Sequence, residues 1–155
     1  MGPVTGEALV DIPGGPGTYA LVMRLEAAAE VAVGRLAPAA FPAGWYIYVG
    51  SALGGLRGRL ARHLRPSKRR HWHIDYLTPP AEIIEIWCAT SPERLECGWA
   101  RALCSLPAAE PHPARFGCSD CRCATHLVFF RERPGLQTAG RLLPQGATVL
   151  CVPAR

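Results

Sequence analysis

The sequence contains no asparagine and a single lysine, Lys68, among its 17 basic residues. It also has no apolar run approaching the roughly 18 residues that a membrane-spanning helix needs, so such a helix is excluded. Between Met1 and Asp11 there is no basic start followed by an apolar core, so a secretory signal is not expected. Internal repeats are missing too. The excess of arginine over lysine reads mainly as GC-rich codon usage, although arginine also suits bidentate phosphate contacts.

What is present fits one folded domain. A chain of 155 residues leaves no room for two full-sized domains. At this length it buries roughly 70% of its unfolded surface without help from disulfides. Apolar residues make up 49% and charged residues 19%, which excludes wholesale disorder. Seven cysteines are an odd disulfide set for a secreted protein. A cytoplasmic location is therefore expected, with the thiols serving as core residues, metal ligands or reactive groups.

The net charge of +5 is unevenly placed. Arg57, Arg59, Arg62, Arg65, Lys68, Arg69 and Arg70 put +7 into one short segment that holds no Asp or Glu. Removing those seven leaves 10 basic against 12 acidic residues, a remainder of −2. A polyanion partner, most simply nucleic acid, fits that segment, and so does an ordinary solvated helix face.

Residues 1–16, rich in Gly and Pro, read as a loose arm with a short strand at Ala8 to Ile12. Strands are expected at Thr18 to Leu25, Glu30 to Leu36, Trp45 to Val49 (closed by Gly50), Glu82 to Cys88, Thr125 to Arg131 and Ala147 to Val152. Leu56, Leu60 and Leu64 recur at four-residue spacing and predict an amphipathic helix that Pro66 stops. Ser91-Pro92 suits a helix start, and that helix is expected to run to about Leu106. Without a βαβ rhythm, a small α+β domain over 1–155 is favoured over a doubly wound fold.

Arg59 and His63, four residues apart, share a helix face beside the leucine stripe, while Arg57, Arg62 and Arg65 are expected to face solvent. An arginine set against developing phosphate charge, next to a group that can take a proton, suits phosphoryl transfer. The same spacing fits a plain amphipathic helix with a basic outer face.

Gly17-Thr18-Tyr19 and Tyr48-Val49-Gly50, with Arg59 and His63 on the following helix, resemble the GIY-YIG nuclease motif. The run from Tyr48 to Ala52, the block from His71 to Leu77 and the block from Phe116 to Cys121 narrow the resemblance. They point to an uncharacterised branch of that superfamily, sometimes attached to endonuclease III-type glycosylases. The resemblance covers residues 17–131, with residues 134–155 as a C-terminal extension. It implies a small central antiparallel sheet flanked by helices, and hydrolysis of a phosphodiester in DNA or structured nucleic acid with one divalent metal. Glu96 matches the metal-holding glutamate for Mg²⁺ or Mn²⁺; Glu93 is the rival but is better explained by a helix dipole. Arg59 would stabilise the transition state, Tyr48, or His63 through it, would help deprotonate water, and Tyr19 would position water or phosphate. Arg57, Arg62, Arg65, Lys68, Arg69 and Arg70 would grip the backbone. Twenty-eight residues separate Tyr19 from Tyr48, more than the family usually has, and an inserted strand or hairpin accounts for them. The asparagine that many members carry has no counterpart here, and Ser51 stands where some have lysine.

Cys118, Cys121, Cys123 and His126 form C-x2-C-x-C-x2-H, which suits a structural Zn²⁺ site with His71 or His73 as substitute ligands. The same residues fit buried loop thiols, with His126 at a strand start. Cys88, Cys97, Cys104 and Cys151 lie in apolar settings and read as small core residues. His71, Trp72 and His73 beside the cationic run suit backbone contact and base stacking, or, for the tryptophan, the core. Three functions compete: a metal-dependent endonuclease, a non-catalytic nucleic-acid-binding module serving a repair protein, and a zinc-stabilised scaffold.

Overall fold

Strand β1 (Gly17–Leu25, GTYALVMRL) buries every residue except Arg24. A strand apolar on both faces has to be central, and this one is. A computed structural model of the chain describes residues 12–34, 36, 38–65, 73–77, 80–111, 116–118, 123–135 and 148–151. After β1 come β2 (Ala29–Val31), β3 (Ala39–Phe41), β4 (Gly44–Ala52), α1 (Leu56–Leu64), α2 (Ile74–Leu77), β5 (Glu82–Thr90), α3 (Glu96–Cys104), β6 (Glu110–Pro111), β7 (Leu127–Phe130) and β8 (Thr148–Cys151). Among the described residues, six strands form one sheet in the order β6-β7-β4-β1-β5-β8, with every pairing antiparallel. β2 and β3 form a separate two-stranded ribbon.

Alternation along the strands gives the sheet two apolar faces. Tyr19, Leu21, Met23, Tyr46 and Tyr48 pack with Leu56, Leu60 and Leu64 of α1, Ile74 and Leu77 of α2, and Phe41 and Phe116. Ala20, Val22, Ile47, Val49, Trp87 and Val128 pack on the opposite side with Trp99 and Leu103 of α3. The protein is thus a small α+β domain, an antiparallel sheet between helices. The β2–β3 hairpin is the insertion that separates Tyr19 from Tyr48, and β8 is a C-terminal edge strand, as expected.

Several local expectations change. The strand expected at Glu30 to Leu36 is two short strands, because the chain turns at Gly34 (φ 52°) and returns through Ala39–Phe41. Residues 12–16 are not loose. Ile12 is fully buried, and the Gly15 and Pro16 carbonyls accept from the amides of Leu56 and Ser91, at 2.9 and 3.0 Å. The rest of the expected arm lies outside the described residues. Ser91 does not cap α3: its Oγ accepts the Glu93 amide at 3.1 Å, a local turn that holds the chain out of helix. The Leu95 amide instead reaches Thr18 Oγ1 at 3.3 Å, and α3 begins one residue later. Glu93 therefore lies outside α3.

Candidate active site

The two tripeptides meet on adjacent strands. Tyr19 pairs with Gly50, and Tyr48 with Leu21, in the β1–β4 register. The Tyr19 ring crosses directly over Gly50, where a Cβ would strike the phenol's ring carbon and oxygen. Gly17 serves a second close approach, since a Cβ there would collide with Leu56 and the Ala89 carbonyl. These glycines bring α1 and its polar face down onto the end of the sheet.

His63, fully buried on α1, stands 2.6 Å from the Tyr19 hydroxyl through Nε2. The Tyr48 ring lies 6.5 Å from Tyr19 and 6.4 Å from His63, centroid to centroid, with its edge against Phe116. Tyr19, not Tyr48, is therefore the hydrogen-bond partner of His63. Arg59 donates through Nη1 to the Ser51 carbonyl at 2.9 Å. With His63 in the tautomer whose Nε2 carries the lone pair, the Tyr19 hydroxyl donates to it.

Burial pushes the Tyr19 phenol well above the usual tyrosine range; Arg59 opposes that shift by charge and hydrogen bond, while Glu96 and Asp75 add to it. Burial likewise raises Tyr48, with Tyr19, Glu96 and Asp75 adding and Arg59 opposing. Both phenols are neutral at physiological pH. Glu96 lies in the first turn of α3 with its side chain 19% exposed, and its charge adds to the upward shift of both phenols.

Behind Glu96 lies a second constellation. Glu96 Oε1 is 3.8 Å from Nδ1 of the fully buried His126, and Cys97 Sγ is 3.8 Å from Nε2 of the same ring. Cys97, Cys123 and His126 present ligand atoms all within 4.8 Å of one another, close enough to hold a metal ion. This differs from the cluster read from spacing. Cys118 is buried and its thiol donates to the Phe116 carbonyl at 3.4 Å, while Cys97, which the spacing did not suggest, belongs to the group. Cys121 lies outside the described residues. Cys97 was missed because it stands 26 residues before Cys123 and no spacing pattern links them.

The cationic segment also divides. Arg57 and Arg65 are exposed, although Arg57 Nε is engaged with the Ile12 carbonyl at 3.0 Å. Arg62 does not point to solvent: it makes a bidentate pair with the buried Asp75, at 2.9 and 2.8 Å, tying α1 to α2. His73 is used internally, its Nδ1 accepting the Gly117 amide at 2.7 Å and its ring meeting Phe116. Desolvation lowers its pKa, in keeping with a neutral acceptor. Lys68, Arg69, Arg70 and His71 lie outside the described residues.

Fold and site together define an α+β domain with a tyrosine–histidine–arginine cluster at one end of an antiparallel sheet. The chain belongs to the family described as Domain of unknown function DUF123, which matches residues 18–144 and so spans Tyr19, Tyr48, Arg59, His63, Glu96 and the cysteine–histidine group. No curated protein and no solved structure matches it. Among the described residues, no helix is long and apolar enough to cross a membrane.

Proposed function

We propose that this domain is a divalent-metal-dependent endonuclease that hydrolyses phosphodiester bonds in DNA or structured nucleic acid. The observation that carries this reading is the Tyr19 phenol 2.6 Å from His63 Nε2, with the charges of Arg59 and Glu96 both bearing on it. The likeness of the two tripeptides, Arg59 and His63 to the GIY-YIG motif supports the same chemistry.

Arg59 sits where it can neutralise charge developing on a phosphate. As water attacks phosphorus, its proton passes to the Tyr19 oxygen while Tyr19 gives its own to His63 Nε2. The bond to the leaving ester oxygen breaks, and that oxygen takes a proton from solvent. His63 is thus the terminal base and Tyr19 the conduit. Arg59 supports transient negative charge on the phenol, which burial alone would forbid. The Tyr48 hydroxyl donates a hydrogen bond to substrate or water. Glu96, a partly exposed carboxylate, is the donor that a hard, hydrated ion accepts; it would hold Mg²⁺ or Mn²⁺, whose chemistry is neutralisation of phosphate charge. The exposed Arg57 and Arg65 supply backbone grip. DNA is the favoured partner, and a repair protein is the further partner suggested by the resemblance.

The test is cleavage of labelled single-stranded, duplex and branched DNA with Mg²⁺ or Mn²⁺. Wild type should cut at least one substrate, and Arg59→Ala and Glu96→Ala should each lose about a hundredfold or more. Equal cleavage by wild type and both variants would assign the activity to a contaminant. Salt-sensitive binding with no cleavage of any substrate would identify a nucleic-acid-binding module instead.

A further inference from the structure

We infer that Cys97, Cys123 and His126 form a zinc site, separate from the Mg²⁺ or Mn²⁺ position at Glu96. Two thiols and an imidazole are soft to borderline donors, which select Zn²⁺ over Mg²⁺. Around tetrahedral zinc, with bonds of about 2.3 Å to sulfur and 2.0–2.1 Å to nitrogen, a sulfur and a nitrogen stand about 3.6 Å apart. Cys97 Sγ and His126 Nε2 are 3.8 Å apart, and all three ligand atoms fall within 4.8 Å. Closing onto one ion therefore needs only small movements. These residues supply three corners of the tetrahedron, and a fourth ligand completes it.

The surroundings match what a zinc-bound histidine requires. When one ring nitrogen binds metal, the other usually donates to a carboxylate that fixes the ring and raises its basicity. Glu96 Oε1 stands 3.8 Å from His126 Nδ1, on the side of the ring away from Cys97; that is longer than a hydrogen bond, and a small shift of the carboxylate would close it. The main chain fixes the histidine as well: the His126 amide donates to the Phe116 carbonyl at 2.8 Å, and its carbonyl accepts the Val49 amide at 3.0 Å. A cleft between α3 and the 123–125 segment, which Cys123 lines together with Ala100, Arg101, Cys104 and Thr125, opens beside the site. Binding releases the two thiol protons, and two thiolates neutralise the ion's charge, so the buried histidine carries no extra cost.

The ligands come from two places. Cys97 is in the first turn of α3, directly after Glu96, while Cys123 and His126 lead into β7. Zinc thus clamps the helix turn that carries Glu96 to the strand segment behind Tyr48. This consequence for Glu96 rests on the nuclease reading; the zinc site does not.

The experiment is metal analysis of the full chain purified without chelator, followed by exchange with Co²⁺. One equivalent of zinc is expected. The Co²⁺ form should show the strong visible bands of tetrahedral cobalt and a thiolate charge-transfer band. Cys97→Ser and Cys123→Ser should each lower affinity at least tenfold and weaken the charge-transfer band, while Cys118→Ser keeps both. Substoichiometric metal in wild type overturns the inference. So does loss of metal in Cys118→Ser with retention in Cys97→Ser, which would point to a cluster local in sequence. Circular dichroism of each serine variant separates lost ligands from lost fold. Zinc without cleavage would sink the nuclease reading alone, and cleavage without zinc would sink the zinc site alone.

Discussion

Gly50 shows how much one absent methyl group can decide. The sequence suggests that it ends a strand, yet β4 runs through it to Ala52, and its role is to let the Tyr19 ring cross. Gly50→Ala should push Tyr19 off His63. Overpacking of this kind costs about 1–3 kcal/mol, read by urea unfolding, and cleavage should fall further than the stability loss explains. Unchanged stability and cleavage would mean that the ring has room to spare. Tyr19, Tyr48, Arg59 and His63 were legible because two tripeptides and an i, i+4 pair match a known motif, although it is the β1–β4 pairing that brings Tyr19 to its partners. Cys97 and Thr18 were not. Their partners, Cys123 with His126 and the Leu95 amide, are brought near only by the sheet and the placement of α3.

Helix α1 carries the cationic segment, and a count of charges treats its arginines as equivalent. The fold does not. Arg62 is bound to a carboxylate that is wholly buried, so Arg62→Ala would remove the bidentate cation from a buried charge between α1 and α2. The expected loss is about 3–5 kcal/mol in urea unfolding, whereas Arg65→Ala at an exposed position should change little. A double replacement, Arg62→Met with Asp75→Leu, should recover much of that loss, because it removes both charges together. Failure to recover would mean that the pair is held for its geometry. The extent of α3 was misjudged for a related reason. Ser91-Pro92 has the composition of a helix start, but a side chain to backbone bond within residues 91–93 competes, and Thr18 on another strand fixes where α3 begins. Composition marks a capable residue, while tertiary contact decides whether it is used.

At the scale of the whole molecule, the α+β class and the C-terminal edge strand were legible from apolar strands without a βαβ rhythm, whereas the antiparallel sheet, its flanking helices and the inserted hairpin were implied by the motif resemblance. One global property follows from His73, whose neutral ring accepts the Gly117 amide and whose pKa is lowered by desolvation. A histidine with a depressed folded-state pKa binds more protons when unfolded. Its effect is therefore absent above pH of about 6.5 and grows as pH falls from there toward the folded value, with stability declining over that window. His73→Asn, whose Oδ1 accepts without titrating, should show a shallower decline in urea midpoint between pH 7.5 and pH 5. Identical slopes would assign the acid sensitivity to other groups.

The central place of β1 also has a meaning for a chain still being made. β1 can zip to β4 as soon as Ala52 has left the ribosome, but its other edge stays bare until Glu82–Thr90 emerges. That edge belongs to a strand apolar on both faces, the kind of surface that recruits a neighbouring nascent chain. A premature stop or a proteolytic nick between β4 and β5 would therefore leave an adhesive fragment rather than a merely inactive one, and quality control would meet this protein most often in that unfinished state.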